Sequence, residues 1–361
     1  MSSEIELDKI RNQIDKIDND IQQLINQRAD LALSVGKIKR TNNHKPIFYR
    51  PEREAEVLKK IIERNKGPLS DEQISLIFRD LMTACLYLQQ PIKIAFLGPE
   101  GTYTQMAVRK HFGTETVTSP VTTIDRVFRE VEGEHVNYGV VPIENSTAGV
   151  INATLDSLID SPVVICGEII IPIHHHLLRA AEENGDIKRI YAHDQALQQC
   201  GRWLDEHMPN VETIAVTSNG IAAQLATKEL DAAAIAGDLA VELYSLKVVN
   251  RNIEDNPHNE TRFVILGRQK VAATGADKTT LLIATPDKPG ALYELLQIFA
   301  ENNINITQIA SRPYGGRGWS YIFFLDIEGH QEDQKIKLAL EQLKNKTIML
   351  NILGSYPKAV I

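Results

Sequence analysis

The chain has 361 residues, enough for two or three domains rather than one compact core, and no apolar run reaches the ~20 residues that a membrane span needs. Its 43% hydrophobic and 24% charged content is that of an ordinary globular protein. A net charge of −8 argues against nucleic acid or an anionic membrane as a partner, so a small anionic ligand would need a local knot of Arg and Lys.

The start MSSEIELDKIRNQ is polar and acidic, unlike a signal peptide. Cys85, Cys166 and Cys200 are widely spaced and lack a CxxC pattern, which predicts reduced thiols in a cytoplasmic protein. From Ile10 the apolar positions run Ile14, Ile17, Ile21, Leu24, Leu31, Val35 and Ile38. Alternating steps of four and three are the seam of a long helix packed on other helices. The missing seam position is Arg28, where a guanidinium is costly unless an anion meets it. A structural ion pair or a stem reaching to water accounts for it equally well.

Arg28 and Lys39 share a helix face about 16 Å apart along the axis and can converge on one ligand. Arg11 lies about 25 Å from Arg28 on the same straight helix, so joint action requires Arg11 from a second chain. This predicts an intertwined homodimer, or a higher homo-oligomer, with composite sites. Residues 42–50 break the helix. A second helix starts near Pro51 with Arg53 and Glu54 in its first turn, and Ser70 with Gln73 forms a capping box for a third. Ile74, Ile77, Phe78, Leu81, Cys85 and Leu88 form the predicted buried face of that helix, with Gln89 continuing the line.

This unit, residues 1–91, resembles the all-helical chorismate mutases through Arg11, Arg28, VGKIK ending in Lys39, FYRPERE with Arg53 and Glu54, and CLYLQQ with Gln89. The resemblance implies that the arginines bind the two carboxylates of chorismate. It also implies that Lys39 and Gln89 hydrogen-bond the ether oxygen, and that Glu54 contacts the substrate hydroxyl. Arg50 stands where an aspartate is common and Cys85 where a serine is common, and both read as peripheral.

From Lys93 short apolar strands alternate with helical stretches, an α/β pattern of mainly parallel strands predicting two lobes around a cleft over residues 92–268. GPEGTYT (98–104) can hold an anion through its amides, Thr102 and Thr104. VPIENSTAG supplies Glu144, Asn145 and Ser146, YAHDQALQQC supplies Gln199, and NETRF places Thr261 before Arg262 and Phe263. No G-x-G-x-x-G is present, which disfavours a dinucleotide site. His174, His175 and His176 alternate faces on an extended strand and cannot all reach one ion, so they read as an interlobe segment with no metal.

In this order the segments resemble prephenate dehydratase, a two-lobed fold like that of periplasmic binding proteins. The resemblance implies that Thr261 assists departure of the ring hydroxyl. It places Thr102, Glu144, Asn145, Ser146, Gln199, Arg262 and Phe263 at the substrate, with no cofactor.

Residues 279–356 follow the order βαββαβ, a ferredoxin-like α+β unit. Gly290, Ala291 and Leu292 in KPGALYELL, with Ser311, Arg312 and Pro313, resemble an ACT domain that binds phenylalanine between these motifs. Ala310 stands where relatives carry an acidic residue. The whole is similar to the proteobacterial bifunctional type. That similarity implies conversion of chorismate to prephenate, and of prephenate to phenylpyruvate by dehydration and decarboxylation, in phenylalanine biosynthesis under feedback inhibition. The competing readings are a dehydratase whose helical unit only dimerises, and a non-enzymatic amino-acid sensor.

Overall fold

The computed structural model describes residues 2–42, 46–180, 185–314 and 320–359. The expected helix break at 43–45 and the first residue of the strand expected at 319 lie outside them. Three helices open the chain: α1 (Ser2–Asn42), α2 (Pro51–Arg64) and α3 (Asp71–Gln89). Pro51 begins α2, where a missing N–H costs nothing. Ser70 accepts from Gln73 N at 3.2 Å while Gln73 accepts from Ser70 N at 3.0 Å, so the capping box forms.

The expected seam of α1 is bare in the single chain: Ile17 is 56% exposed and Leu24 63%. The predicted inner face of α3 is corrected in the same way. Ile77 and Leu88 are 54% and 51% exposed, and the buried residues are Ser75, Arg79 and Cys85.

The second unit begins with β1 (Lys93–Leu97), α4 (Tyr103–Phe112), β2 (Val117–Val121), α5 (Ile124–Glu132), β3 (Tyr138–Asn145), β4 (Gly149–Val150), α6 (Asn152–Asp160) and β5 (Val164–Pro172). It continues in a second lobe with β6 (His176–Ala180), β7 (Arg189–His193), α7 (Asp194–Gln199), α8 (Gly201–His207), β8 (Glu212–Val216), α9 (Asn219–Ala226), β9 (Ala232–Ala236), α10 (Asp238–Tyr244) and β10 (Leu246–Asn250). The chain then returns as β11 (Glu260–Gly267).

The first sheet has the order β2-β1-β3-β11-β5 with β4 beside β3, and the second β10-β6-β9-β7-β8. The expectation of mainly parallel strands needs correction. β11 inserts antiparallel between β3 and β5, and β6 lies antiparallel to both β9 and β10. The cause is topological, because the chain crosses to the second lobe after β5 and comes back. His174 and His175 sit on the outgoing crossing, between β5 and β6, as read from the sequence.

The third unit comprises β12 (Asp277–Ala284), α11 (Ala291–Glu301), β13 (Ile306–Tyr314), β14 (Ser320–Glu328), α12 (Gln334–Lys344) and β15 (Met349–Pro357), in the sheet order β13-β14-β12-β15. Its helices cover one face through Leu295, Phe299, Ile336 and Leu340. The other face joins the first lobe in one core, with Leu282, Phe324 and Leu353 packed with Val141, Ile165 and Val264. Gly354 has no room for a Cβ, which would overlap the Ile165 carbonyl, so β15 lies directly on β5.

Candidate active sites

Arg28, Lys39, Arg53, Glu54 and Gln89 line one cavity of about 410 Å³. Gly36 lets α3 approach, since a Cβ there would stand 3.1 Å from Gln89 Cγ. Arg28 Nη1 donates to Leu81 O at 3.4 Å, and Lys39 Nζ donates to Ile47 O and Phe48 O, each at 3.1 Å. Burial, and then the nearby Arg50 charge, hold the Lys39 ammonium below its usual pKa. Arg50 and Cys85, read as peripheral in the sequence, both line this cavity.

Glu54 lies 3.5 Å from the Arg79 guanidinium. Burial pushes its carboxyl up to about 7, against the pull of Arg79 and a hydrogen bond from Tyr49. Arg11 is not part of the cavity; its side chain is 72% exposed and among the described residues it meets Asp8, at 3.5 Å. One helix cannot bring it closer.

In the second unit the structure gathers Asn145, Ser146 and Thr261 at the ends of β3 and β11. The register explains how. Thr261 pairs with Asn145 and Arg262 with Glu144, but Phe263 pairs with Pro142, so Ile143 is an extra residue. This β-bulge turns Asn145 onto the Thr261 face and Glu144 onto the Arg262 face. Asn145 Oδ1 accepts from Thr147 N and Ala148 N at 3.1 and 2.9 Å, which orients its amide. Asn145 Nδ2 then donates to Thr261 Oγ1 at 2.8 Å and to Asn259 Oδ1 at 2.9 Å. An amide NH2 only donates, so the Thr261 proton is left for another acceptor.

Asn259 is the residue that sequence reasoning missed. It is 2% exposed, and its Oδ1 also accepts from Ser146 Oγ and Thr147 Oγ1 at 3.3 and 3.2 Å. Its Nδ2 is buried with no partner among the described residues. The available signal was its place two residues before Thr261, on the same side of an extended chain.

Four of the expected substrate contacts have other partners in this chain. Phe263 is 1% exposed and packs in the core with Ile94, Phe96 and Ile265. Arg262 faces the third unit; its guanidinium donates to Glu168 Oε2 at 2.7 Å, Asp326 Oδ2 at 2.5 Å and Tyr356 Oη at 2.9 Å. Glu144 follows Arg262, 3.8 Å away. The Thr102 hydroxyl caps α4 and donates to Pro99 O at 3.0 Å, while Gly101 N is taken by Gln105 Oε1.

The lobes meet through Tyr103 of α4, whose hydroxyl reaches His174 O at 2.6 Å and His175 Nδ1 at 2.9 Å. His175 Nε2 continues to Gln199 Oε1 at 2.9 Å, leaving Gln199 Nε2 buried and unpartnered among the described residues. His174 pairs with Glu254 and His176 with Asp238, so the three histidines face different partners. Among the described residues no group of three His, Cys, Asp or Glu side chains is placed to hold a metal ion.

In the third unit Gly290 caps α11 at φ +80°, a conformation that glycine adopts without strain, with Ala291 and Leu292 in the first turn. Ser311, Arg312 and Pro313 lie on the edge strand β13, a different element. Arg312 is turned toward the second unit and holds Asp156 through two bonds of 2.8 and 2.6 Å.

The helical unit matches the family "Chorismate mutase type II" over residues 10–90, the two-lobed unit "Prephenate dehydratase" over 94–271, and the last "ACT domain" over 279–345. Two cation-lined or hydroxyl-bearing sites on separate folds define a two-site enzyme carrying a third, non-catalytic module. The chain belongs to the bifunctional chorismate mutase/prephenate dehydratase family. It is 48% identical to the protein of that description from Pseudomonas aeruginosa and 49% to that from Stutzerimonas stutzeri, over all of each chain. A solved prephenate dehydratase in complex with L-Phe, from Arthrobacter aurescens, is 36% identical with a TM-score of 0.69, covering 74% of this chain and 90% of its own.

Proposed function

We propose that the cavity of α1, α2 and α3 rearranges chorismate to prephenate, and that the Thr261 site converts prephenate to phenylpyruvate. The convergence of Arg28, Lys39, Arg53 and Gln89 on one cavity carries this reading. The first reaction is a pericyclic shift that needs no nucleophile, and negative charge gathers on the ether oxygen as its C–O bond breaks. Donors held there, Lys39 and Gln89, bind the transition state more strongly than the ground state. The arginines hold the dianion folded in its reactive shape. In the second reaction Thr261 donates the proton that Asn145 leaves free, to the departing hydroxyl, while loss of carbon dioxide makes the ring aromatic.

Arg11 completes the first site from a second copy, and the bare seam of α1 is the contact between the copies. The working units are residues 1–91, 92–268 and 279–356. The middle one is a two-lobed binding-protein-like fold and the last a ferredoxin-like one. Phenylalanine binds the last unit between Gly290–Leu292 and Ser311–Pro313, and a related dehydratase has been solved with L-Phe. Joining Gly290–Leu292 on α11 to Ser311–Pro313 on an edge strand again calls for two copies. The enzyme acts in the cytoplasm; among the described residues no helix is long and apolar enough to cross a membrane.

The test is to supply chorismate and follow phenylpyruvate, with and without phenylalanine. Phenylpyruvate formation suppressed by phenylalanine is expected. Accumulation of prephenate alone would remove the second activity, and unchanged chorismate the first.

A further inference from the structure

The cavity of Arg28 and Lys39 is not closed by the helical unit alone. His111 and Phe112, on α4 of the dehydratase unit, form part of its wall. His111 Nε2 is hydrogen-bonded to Tyr49 Oη, and the two rings meet edge to face with centroids 5.7 Å apart. Tyr49 is 4% exposed and lines the same cavity as Glu54, whose carboxyl its hydroxyl holds down. A phenol has one proton. If Tyr49 gives it to the Glu54 carboxyl, its oxygen must accept from His111, which puts the imidazole proton on Nε2.

Burial, and then the Arg79 charge, hold His111 down to about 3, so the ring stays neutral and keeps one donor at all working pH values. The charged groups facing this chain are Arg79 on α3, Arg28 and Lys39 on α1, Arg50 and Arg53 at the start of α2, and Lys110 on α4. All six are cations and favour a charged Glu54. On the far side, an adjoining cavity adds Glu72, Glu168, Glu260 and Lys358. What keeps a proton on Glu54 near neutrality is burial, and what opposes it locally is the Tyr49 hydrogen bond together with Arg79.

We propose that His111 is a positioning residue of the mutase site: by donating to Tyr49 it fixes the hydroxyl that orients Glu54, so the first reaction depends on a helix of the domain that performs the second. The proposal rests on the reading of the cavity as the mutase site. His111 contacts no substrate itself and acts through Tyr49 and Glu54.

The test compares full-length His111→Leu and His111→Gln, following chorismate mutase kcat/KM against pH and dehydratase activity on prephenate in the same samples. Glutamine keeps an N–H donor at the end of its side chain; leucine does not. In His111→Leu, mutase kcat/KM is expected to fall about tenfold, in the range of losses for groups that orient a functional side chain. The midpoint of its pH profile moves up, because Glu54 loses a bond that favours its charged form, while dehydratase activity is retained. His111→Gln is expected to keep the wild-type midpoint. An unchanged mutase rate and midpoint in His111→Leu overturns the proposal. So does a His111→Gln midpoint displaced as far as that of leucine, which would reduce His111 to packing. If His111→Leu loses both activities, the His111→Gln variant decides: a wild-type midpoint supports the proposal and a displaced one overturns it. Glu54→Gln separates this from the parent reading: mutase activity unaffected by that change removes Glu54 from the site whatever His111 does.

Discussion

Arg262 follows Thr261 directly in β11, yet its guanidinium meets Asp326 of the C-terminal sheet at 2.5 Å. Alternation along a strand places one side chain beside Asn145 and the next in the wall of the C-terminal unit. The knot extends to Glu168, Tyr356 and, through Asp326 and Tyr356, to Thr280. Burial alone would raise the Glu168 carboxyl, but Arg262 and Lys278 outweigh it and hold it below the usual range. The C-terminal domain therefore grips the strand that carries Thr261.

Asp326→Asn leaves a buried guanidinium short of one countercharge. A cost on the order of 3–5 kcal/mol is expected from breaking such a group, seen as a lower thermal midpoint. Inhibition of the dehydratase by phenylalanine should weaken at the same time, measured as a higher effector concentration for half-inhibition. Inhibition unchanged in a destabilised variant would show that the coupling runs elsewhere.

Thr261→Ala should lower dehydratase kcat by about 100-fold, the worth of a positioned proton donor, with mutase activity intact as the folding control. Asn259→Leu tests the unpartnered Nδ2 beside it. The three donors that now converge on Asn259 Oδ1 lose their acceptor, so the same assay should show a loss of at least about tenfold. A dehydratase indifferent to Thr261→Ala would take this residue out of the mechanism.

Arg28→Leu is expected to reduce mutase activity by at least about 100-fold, since it removes a charged clamp on the substrate. Arg11→Ala should do the same despite its exposed position in one chain. Mixing the two inactive variants should restore roughly a quarter of the wild-type rate, because about half of the pairs formed are mixed and each of these has one of its two sites intact. No recovery on mixing would show that Arg11 is not supplied by the second copy. Ile17→Glu on the bare seam should lower the mass in light scattering and the mutase rate together.

Stability should fall as pH rises through Glu54. Its folded pKa of about 7 lies above the 4.5 of an unperturbed carboxyl, so between these values the folded chain binds more protons than the unfolded one. That contribution is complete below pH 4.5 and is lost by pH 7. His111 acts in the opposite sense, its contribution being present above pH 6.5 and lost as pH falls toward 3. Denaturant titrations of Glu54→Gln and wild type should converge near pH 5 and diverge at pH 8, with the variant more stable. Parallel curves across that window would contradict the assignment.

Local pattern alone determined a good deal of this protein. The capping box of Ser70 and Gln73, the start of α2 at Pro51, the interlobe place of His174 and His175 and the order of the last six elements all depend on residues a few positions apart, so a linear reading contains them. The shared face of Arg28 and Lys39 was legible too, because one long helix lays its charges along a ruler, whereas Arg53 and Gln89 joined them only through the resemblance to the helical mutases. Tertiary structure decided the rest. A single extra residue at Ile143 sets which of Glu144 and Asn145 meets Thr261. The packing of β15 on β5 turns Arg262 away from the cleft, and α4 brings His111 to Tyr49 across 62 positions of sequence. These contacts join surfaces of different units, and the side chain that each surface presents follows from strand register and sheet packing, which hydrophobic periodicity within one element does not encode.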